Sequence, residues 1–172
     1  IDYKKADTEA LNLLMHDGKK NLAIVVGDQD AVVNGENRIP AYEEFIRANN
    51  LGEPHIYTGI KDYSDGYNLY PQLVKDGIDG VIVTRDISSV GILNSAMDAG
   101  TKVPEEFEIV TASATQLASV VRPALTTIKQ PLYDIGAVAM RMLTKLMNNE
   151  EVDDTHIELP YELVKKQSTL NQ

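Results

Sequence analysis

Short apolar, largely β-branched runs, set between segments of helical periodicity, constrain this chain more than any other feature. Leu22-Ala23-Ile24-Val25-Val26 runs into Gly27, and Gly80-Val81-Ile82-Val83-Thr84 and Glu108-Ile109-Val110-Thr111 follow later. A run with no polar alternation has to be buried on both faces, which marks a parallel strand inside a covered sheet. His55-Ile56-Tyr57 reads as a shorter strand. Between the strands, apolar residues recur at helical spacing. Ala10, Leu11, Leu14 and Met15 predict a helix over 7–17, closed by Gly18. Ile39, Tyr42, Phe45 and Ile46 form the apolar face of a second helix, opened by Asn34 or Gly35 and ending at Ala48. Helices over 65–75 and 88–99 follow, the first stopped by Gly77 and the second by Gly100. The alternation with short connections predicts an α/β fold, a doubly wound parallel sheet with helices on both faces. Ligands of such sheets bind beyond the carboxyl ends of the strands.

After Thr111 the pattern changes. Residues 116–122 are irregular, and Pro123 stops any helix there. Leu125-Thr126-Thr127-Ile128 reads as a strand or extended crossover, and a long helix runs over 132–148. Ile157, Leu159, Tyr161 and Leu163 alternate with polar residues, which predicts a half-buried strand with an edge or bend at Pro160.

Composition excludes several functions. With 172 residues, 43% hydrophobic and 24% charged, the chain has a globular balance and the length of one ordinary domain. No apolar run approaches the roughly 20 residues of a membrane span. A net charge of −10 would on average be repelled by the phosphates that nucleic-acid binders neutralise. Zero cysteines remove disulfides, thiolate metal sites and thiol nucleophiles, and suit a reducing cytoplasm. There is no GxGxxG, P-loop or GxSxG pattern. His16, His55 and His156 lie in unrelated segments without metal-ligand spacing. Asp28 and Asp30 follow the first strand and could form a carboxylate pair, although acidic loop residues are common in so acidic a chain. No catalytic residue, metal or cofactor is predicted.

Several segments together resemble the lactose/galactose repressor family of transcriptional regulators. They are Asp79-Gly80-Val81-Ile82-Val83-Thr84-Arg85-Asp86, Val90-Gly91-Ile92-Leu93, and Ala99-Gly100-Thr101-Lys102-Val103-Pro104-Glu105-Glu106. Ile109-Val110, Leu117-Ala118-Ser119, the run from Arg122-Pro123 through Gln130-Pro131, and Leu163 to Thr169 continue the match in order. The stretch from Gln130 to Lys145 closely resembles the family's carbon-catabolite regulators. The resemblance implies a periplasmic-binding-protein-like fold with 1–118 as a C-terminal subdomain. Residues 119–150 would be a crossover and a helix of the N-terminal subdomain, and 151–172 a return strand and tail. It also implies a homodimer. Operator DNA would be reached only through an N-terminal DNA-binding domain that these residues do not contain. Relatives pair through the first helix and a later helix–strand region, so Leu11, Leu14 and Met15 are either core or interface.

The long helix carries the sharpest site. At about 100° per residue, Ile135, Ala139, Met142 and Leu146 share one face, the expected core stripe. Asp134, Val138, Arg141 and Lys145 fall within about 60° of one another on a second face. Arg141 and Lys145 there could meet a phosphate, or the face could be a solvated one with ordinary helix charge pairs. The resemblance assigns Tyr133, Asp134, Val138, Arg141 and Lys145 to docking of the phosphocarrier protein HPr phosphorylated on a serine. One family Arg is replaced near Tyr161-Glu162, where Glu162 would repel a phosphate unless Lys165 or Lys166 compensates. The resemblance also implies an effector cleft formed by Arg38, Arg85, Asp86, Ser113 and Gln130. Thr111-Ala112-Ser113-Ala114 stands where relatives carry a sugar-binding Asp, which argues against tight binding of a neutral sugar. Arg38 and Arg85 keep a sugar phosphate open, and Arg38 could instead pair with Glu36 or Asp28. The alternative function is therefore an effector-binding domain of a metabolic repressor or transport binding protein.

Overall fold

The computed structural model describes residues 1–27, 38–152 and 154–171. The predicted Asp28–Asp30 pair, the opening of the second helix at Asn34 or Gly35, and Glu36 lie outside them. In chain order the elements are α1 (Tyr3–His16), β1 (Leu22–Val26), α2 (Arg38–Ala48), β2 (His55–Thr58), α3 (Tyr63–Lys75), β3 (Gly80–Val83), α4 (Asp86–Asp98), β4 (Glu108–Thr111), α5 (Leu117–Val120), β5 (Thr126–Lys129), α6 (Leu132–Met147) and β6 (Glu162–Val164).

The strands form one sheet in the order β2-β1-β3-β4-β5-β6. Strands β1 to β5 pair in parallel, and β6 runs antiparallel along β5. Alternate residues feed two separate cores. Ala23, Val25, Val81, Val83 and Ile109 meet Tyr70 and Leu73 of α3 and Val90, Ile92, Leu93 and Ala96 of α4. Leu22, Ile24, Val26, Ile82 and Val110 meet Ala6, Ala10, Leu11 and Leu14 of α1 and Tyr42, Phe45 and Ile46 of α2. The Tyr42 hydroxyl ties this layer together, donating to the Leu22 carbonyl at 2.8 Å and accepting the His55 N–H at 2.9 Å. Burial pushes its pKa up to about 12. Leu11 and Leu14 are thus core, and Met15 packs against it.

Three helices, α1, α3 and α4, begin earlier than their apolar periodicity alone implies, two of them behind a capping acid. Asp2 accepts the Lys5 N–H at 2.9 Å and Asp62 accepts the Asp65 N–H at 2.9 Å. Each caps a free N–H of the first turn and so adds residues upstream of the apolar stripe. Helices α3 and α4 approach so closely that glycine is required at both contacts. A Cβ on Gly66 would run into the Ser88 carbonyl, and one on Gly91 into the Tyr63 carbonyl.

Two expectations for the last third are corrected. The strand predicted over 156–163 is three residues long, Glu162–Val164. Pro160 has no N–H for a sheet ladder, and Ile157 and Leu159 turn toward α6 instead. The expected core stripe of α6 is not buried, and no residue of that helix is. Ile135, Val138, Ala139 and Met142 line an open cleft of about 290 Å³ shared with Ile1 and residues 155–159. Leu146 is exposed.

The segment after β6 wedges between β4 and β5. Ser168 accepts the Ile109 N–H at 3.2 Å on its carbonyl and donates its own N–H to the Ala124 carbonyl at 3.0 Å. Its hydroxyl donates to the Ile109 carbonyl at 2.5 Å and accepts the Thr126 N–H at 2.8 Å.

Candidate functional site

The carboxyl ends of β3, β4 and β5 converge on a polar cluster. Arg85 follows β3 and caps α4, and Asp86 is the first residue of that helix. The Asp86 carboxylate is buried and fully engaged. Oδ1 accepts the Thr111 hydroxyl at 2.5 Å and the Ser113 N–H at 3.3 Å, and Oδ2 accepts the Thr115 N–H and hydroxyl at 2.5 and 2.7 Å. The loop after β4 is therefore folded around this carboxylate. Ser113 donates its hydroxyl to the Thr84 carbonyl at 3.0 Å, and the Gln130 side-chain amide donates to the Ala112 carbonyl at 3.1 Å. Four predicted cleft residues, Arg85, Asp86, Ser113 and Gln130, are thus brought together.

Arg85 is exposed, with its guanidinium beside Gly27 at the end of β1. A side chain at position 27 would collide with it. The Gly27 N–H donates to the Thr84 hydroxyl at 3.1 Å, fixing the ends of β1 and β3 against each other.

Arg38 sits differently. It is 3% exposed and grips Asp7 of α1, with Nε on Oδ2 and Nη2 on Oδ1, both at 2.7 Å. Its guanidinium carbon lies 5.1 Å from the Tyr3 ring centroid, within range of a cation–π contact. Burial pushes the Asp7 carboxyl up, and the charge and hydrogen bonds of Arg38 pull it back. The other partners considered for Arg38, Glu36 and Asp28, lie outside the described residues. Asp7 was missed in the sequence, although its spacing to Ala10, Leu11 and Leu14 places an acid on the buried face of α1. Thr111 and Thr115, which satisfy Asp86, left no comparable pattern.

Gln130-Pro131 leads straight from the polar cluster into α6. Tyr133, 87% exposed, and the exposed Asp134 lie in its first turn, where the helix dipole favours a carboxylate. Arg141 is exposed and Lys145 half-buried, and among the described residues neither makes a salt bridge or a side-chain hydrogen bond. Val138 is half-buried and turns toward the cleft with residues 155–159 rather than standing alone between charges. Glu162 pairs with Lys129 at 3.5 Å. Lys166 donates to the Ser119 hydroxyl at 2.9 Å, and Lys165 faces Glu9 and His16 of α1.

Comparison with known proteins gives the family. The periplasmic binding protein-like domain matches residues 11–169. The HTH-type transcriptional regulator pepR1 of Lactobacillus delbrueckii subsp. lactis is 72% identical over 172 residues, 100% of this chain and 52% of that protein. Catabolite control protein A of Staphylococcus epidermidis is 38% identical over 168 residues, 95% of this chain and 50% of that protein. The crystal structure of transcription regulator CcpA of Lactococcus lactis superposes with a TM-score of 0.93 at 35% identity, covering 99% of this chain and 63% of that one. A LacI family regulator from Lactobacillus casei with bound sucrose gives 0.87 at 25% identity, covering 98% of this chain and 64% of that one. The chain spans about half the length of the curated relatives it matches. These relatives are transcriptional regulators, not enzymes. The chain belongs to the periplasmic binding protein-like family and has the effector-binding fold of LacI-family transcriptional regulators, related to catabolite control protein A.

Proposed function

We propose that this chain is the regulatory core of a carbon-catabolite transcription factor and that α6 docks serine-phosphorylated HPr. The observation that carries this reading is the pair Arg141 and Lys145, one turn apart and without a partner among the described residues, on a helix with no buried residue. Arg141 offers a planar fork to a phosphate and Lys145 a point charge. Tyr133 and Asp134 extend the surface about two turns toward the helix N-terminus. Glu162 reduces the attraction less than its sequence position implies, because Lys129 offsets its charge. In the full-length protein, calorimetry with serine-phosphorylated HPr should give micromolar binding. Arg141→Glu should weaken it by at least ~10-fold, the loss of a charge-assisted phosphate contact. No heat with the wild type rejects the reading. Operator DNA would be bound by a part of the full-length regulator outside these residues. In this reading α6 belongs to a second lobe.

A second reading has its own observation. All four polar contacts of Asp86 are internal, and Arg85 is the exposed charge at the strand ends. Such a cleft favours a phosphorylated sugar over a neutral one. A thermal-shift comparison should show sugar phosphates raising the melting temperature and their unphosphorylated parents leaving it unchanged.

A further inference from the structure

Two carboxyl groups from distant elements meet at the Leu170 N–H, at the end of the sheet opposite the Arg85–Asp86 cluster. Glu108 opens β4 with a fully enclosed side chain. Its Oε1 accepts the Leu170 N–H at 3.0 Å, and its Oε2 has no hydrogen-bond partner. Asp17, the C-cap of α1, accepts the N–H groups of Leu170 and Asn171 on Oδ2, each at 3.1 Å. Its Oδ1 accepts the Asn171 side-chain amide. Leu170 N–H is thus shared between two acids. With both ionised, like charges would face one another and a buried oxygen would lack any donor, an arrangement that a single proton relieves.

The other groups nearby do not supply that relief. Lys19 turns its ammonium to the Pro104 and Glu105 carbonyls at 3.1 and 2.8 Å. Its charge favours an ionised Glu108 from there, without a bond. His16 Nδ1 lies 3.4 Å from the Asn171 side-chain nitrogen. The Asp79 carboxylate is spent on the N–H groups of Lys20 and Asn21. Gly80, which pairs with Glu108 across the sheet, and Ser168 and Thr169 of the wedge carry no charge.

We propose that Glu108 and Asp17 form a proton-operated clasp on residues 170–171, closed when Glu108 holds a proton and loosened when it loses it. Burial, helped by Asp17 and opposed by the Leu170 amide and Lys19, pushes the Glu108 carboxyl up to about 8. The clasp is therefore closed at neutral pH and opens in mild base. Ser168, two residues from the clasp, bridges β4 to β5, so the strand that leads into α6 feels the change.

Hydrogen exchange of the peptide covering 165–171 in the whole protein tests this. Corrected for intrinsic base catalysis, protection there should fall at least ~5-fold between about pH 6.5 and about pH 9.5, while the β1 and β3 peptides stay protected. Glu108→Gln should hold protection constant over the same range. Constant protection in the wild type overturns the clasp, as does an equal loss in the Gln variant or a loss shared by the whole sheet. If Glu108→Gln does not fold, Asp17→Asn serves. It removes the charge that helps keep the proton on Glu108 and should move the opening to lower pH, and an unmoved midpoint overturns the proposal.

Discussion

At Glu108 the cost of burying a carboxylate becomes a pH dependence of folding. Its folded value of about 8 lies above the ordinary 4.5, so between those limits the folded chain keeps a proton that the unfolded chain releases. This contribution is complete below the unfolded value and is lost as pH rises through the folded one. Urea denaturation should therefore show stability falling by on the order of 3 kcal/mol from about pH 5 to about pH 9, with Glu108→Gln flattening that slope. Asp7 poses the opposite problem, a buried acid with an excellent partner. Asp7→Ala would leave the Arg38 guanidinium buried and unpaired, and should cost about 3–5 kcal/mol in the same measurement. Neither group was legible as a site in the sequence. Glu108 looked like the polar start of an apolar strand. Arg38 was read as facing a ligand because its neighbourhood resembled a binding segment. Its partner lies 31 residues upstream, and a ladder of spacings does not reveal pairing over that distance.

Among the elements, the strands were read most accurately, because a run apolar on both faces has few other solutions. β1 and β4 match their predicted bounds. Helix starts lie upstream of the apolar stripe in α1, α3 and α4, and in two of these a polar residue, Asp2 or Asp62, sets the boundary. Helix α6 shows the limit of periodicity. Its stripe is real, but a stripe says only that a face is apolar, not that the chain supplies something to cover it. The α3–α4 contact was also invisible, since Gly66 and Gly91 become informative only when the two helices are seen to touch. Gly91→Ala would push the added methyl into the Tyr63 carbonyl. It should destabilise the fold by about 1–3 kcal/mol, readable as a lowered melting temperature.

For the whole molecule, the sheet separates two polar clusters. The cluster of Arg85, Asp86, Ser113 and Gln130 lies at the carboxyl ends of the strands, and the Glu108–Asp17 pair lies at the opposite ends. The apolar surface left open on α3, α4 and α5 includes Tyr63, Met97, Leu117 and Val120. Leu11 and Leu14 are already spent on the core, so we propose that self-association uses this face instead of α1. Sedimentation of the full-length protein should give a dimer, and Met97→Asp with Val120→Asp should shift it toward monomer. Unchanged sedimentation would move the interface elsewhere. The wedge at Ser168 has one more consequence. β4 and β5 can leave the ribosome and pair at Val110–Thr126 and Thr111–Thr127 before residue 168 exists, yet the bridge from Ile109 to Ala124 and Thr126 needs that residue. The end of the β4–β5 seam beside Ile109 therefore closes last, and closure over so long a sequence separation is an intrinsically slow event.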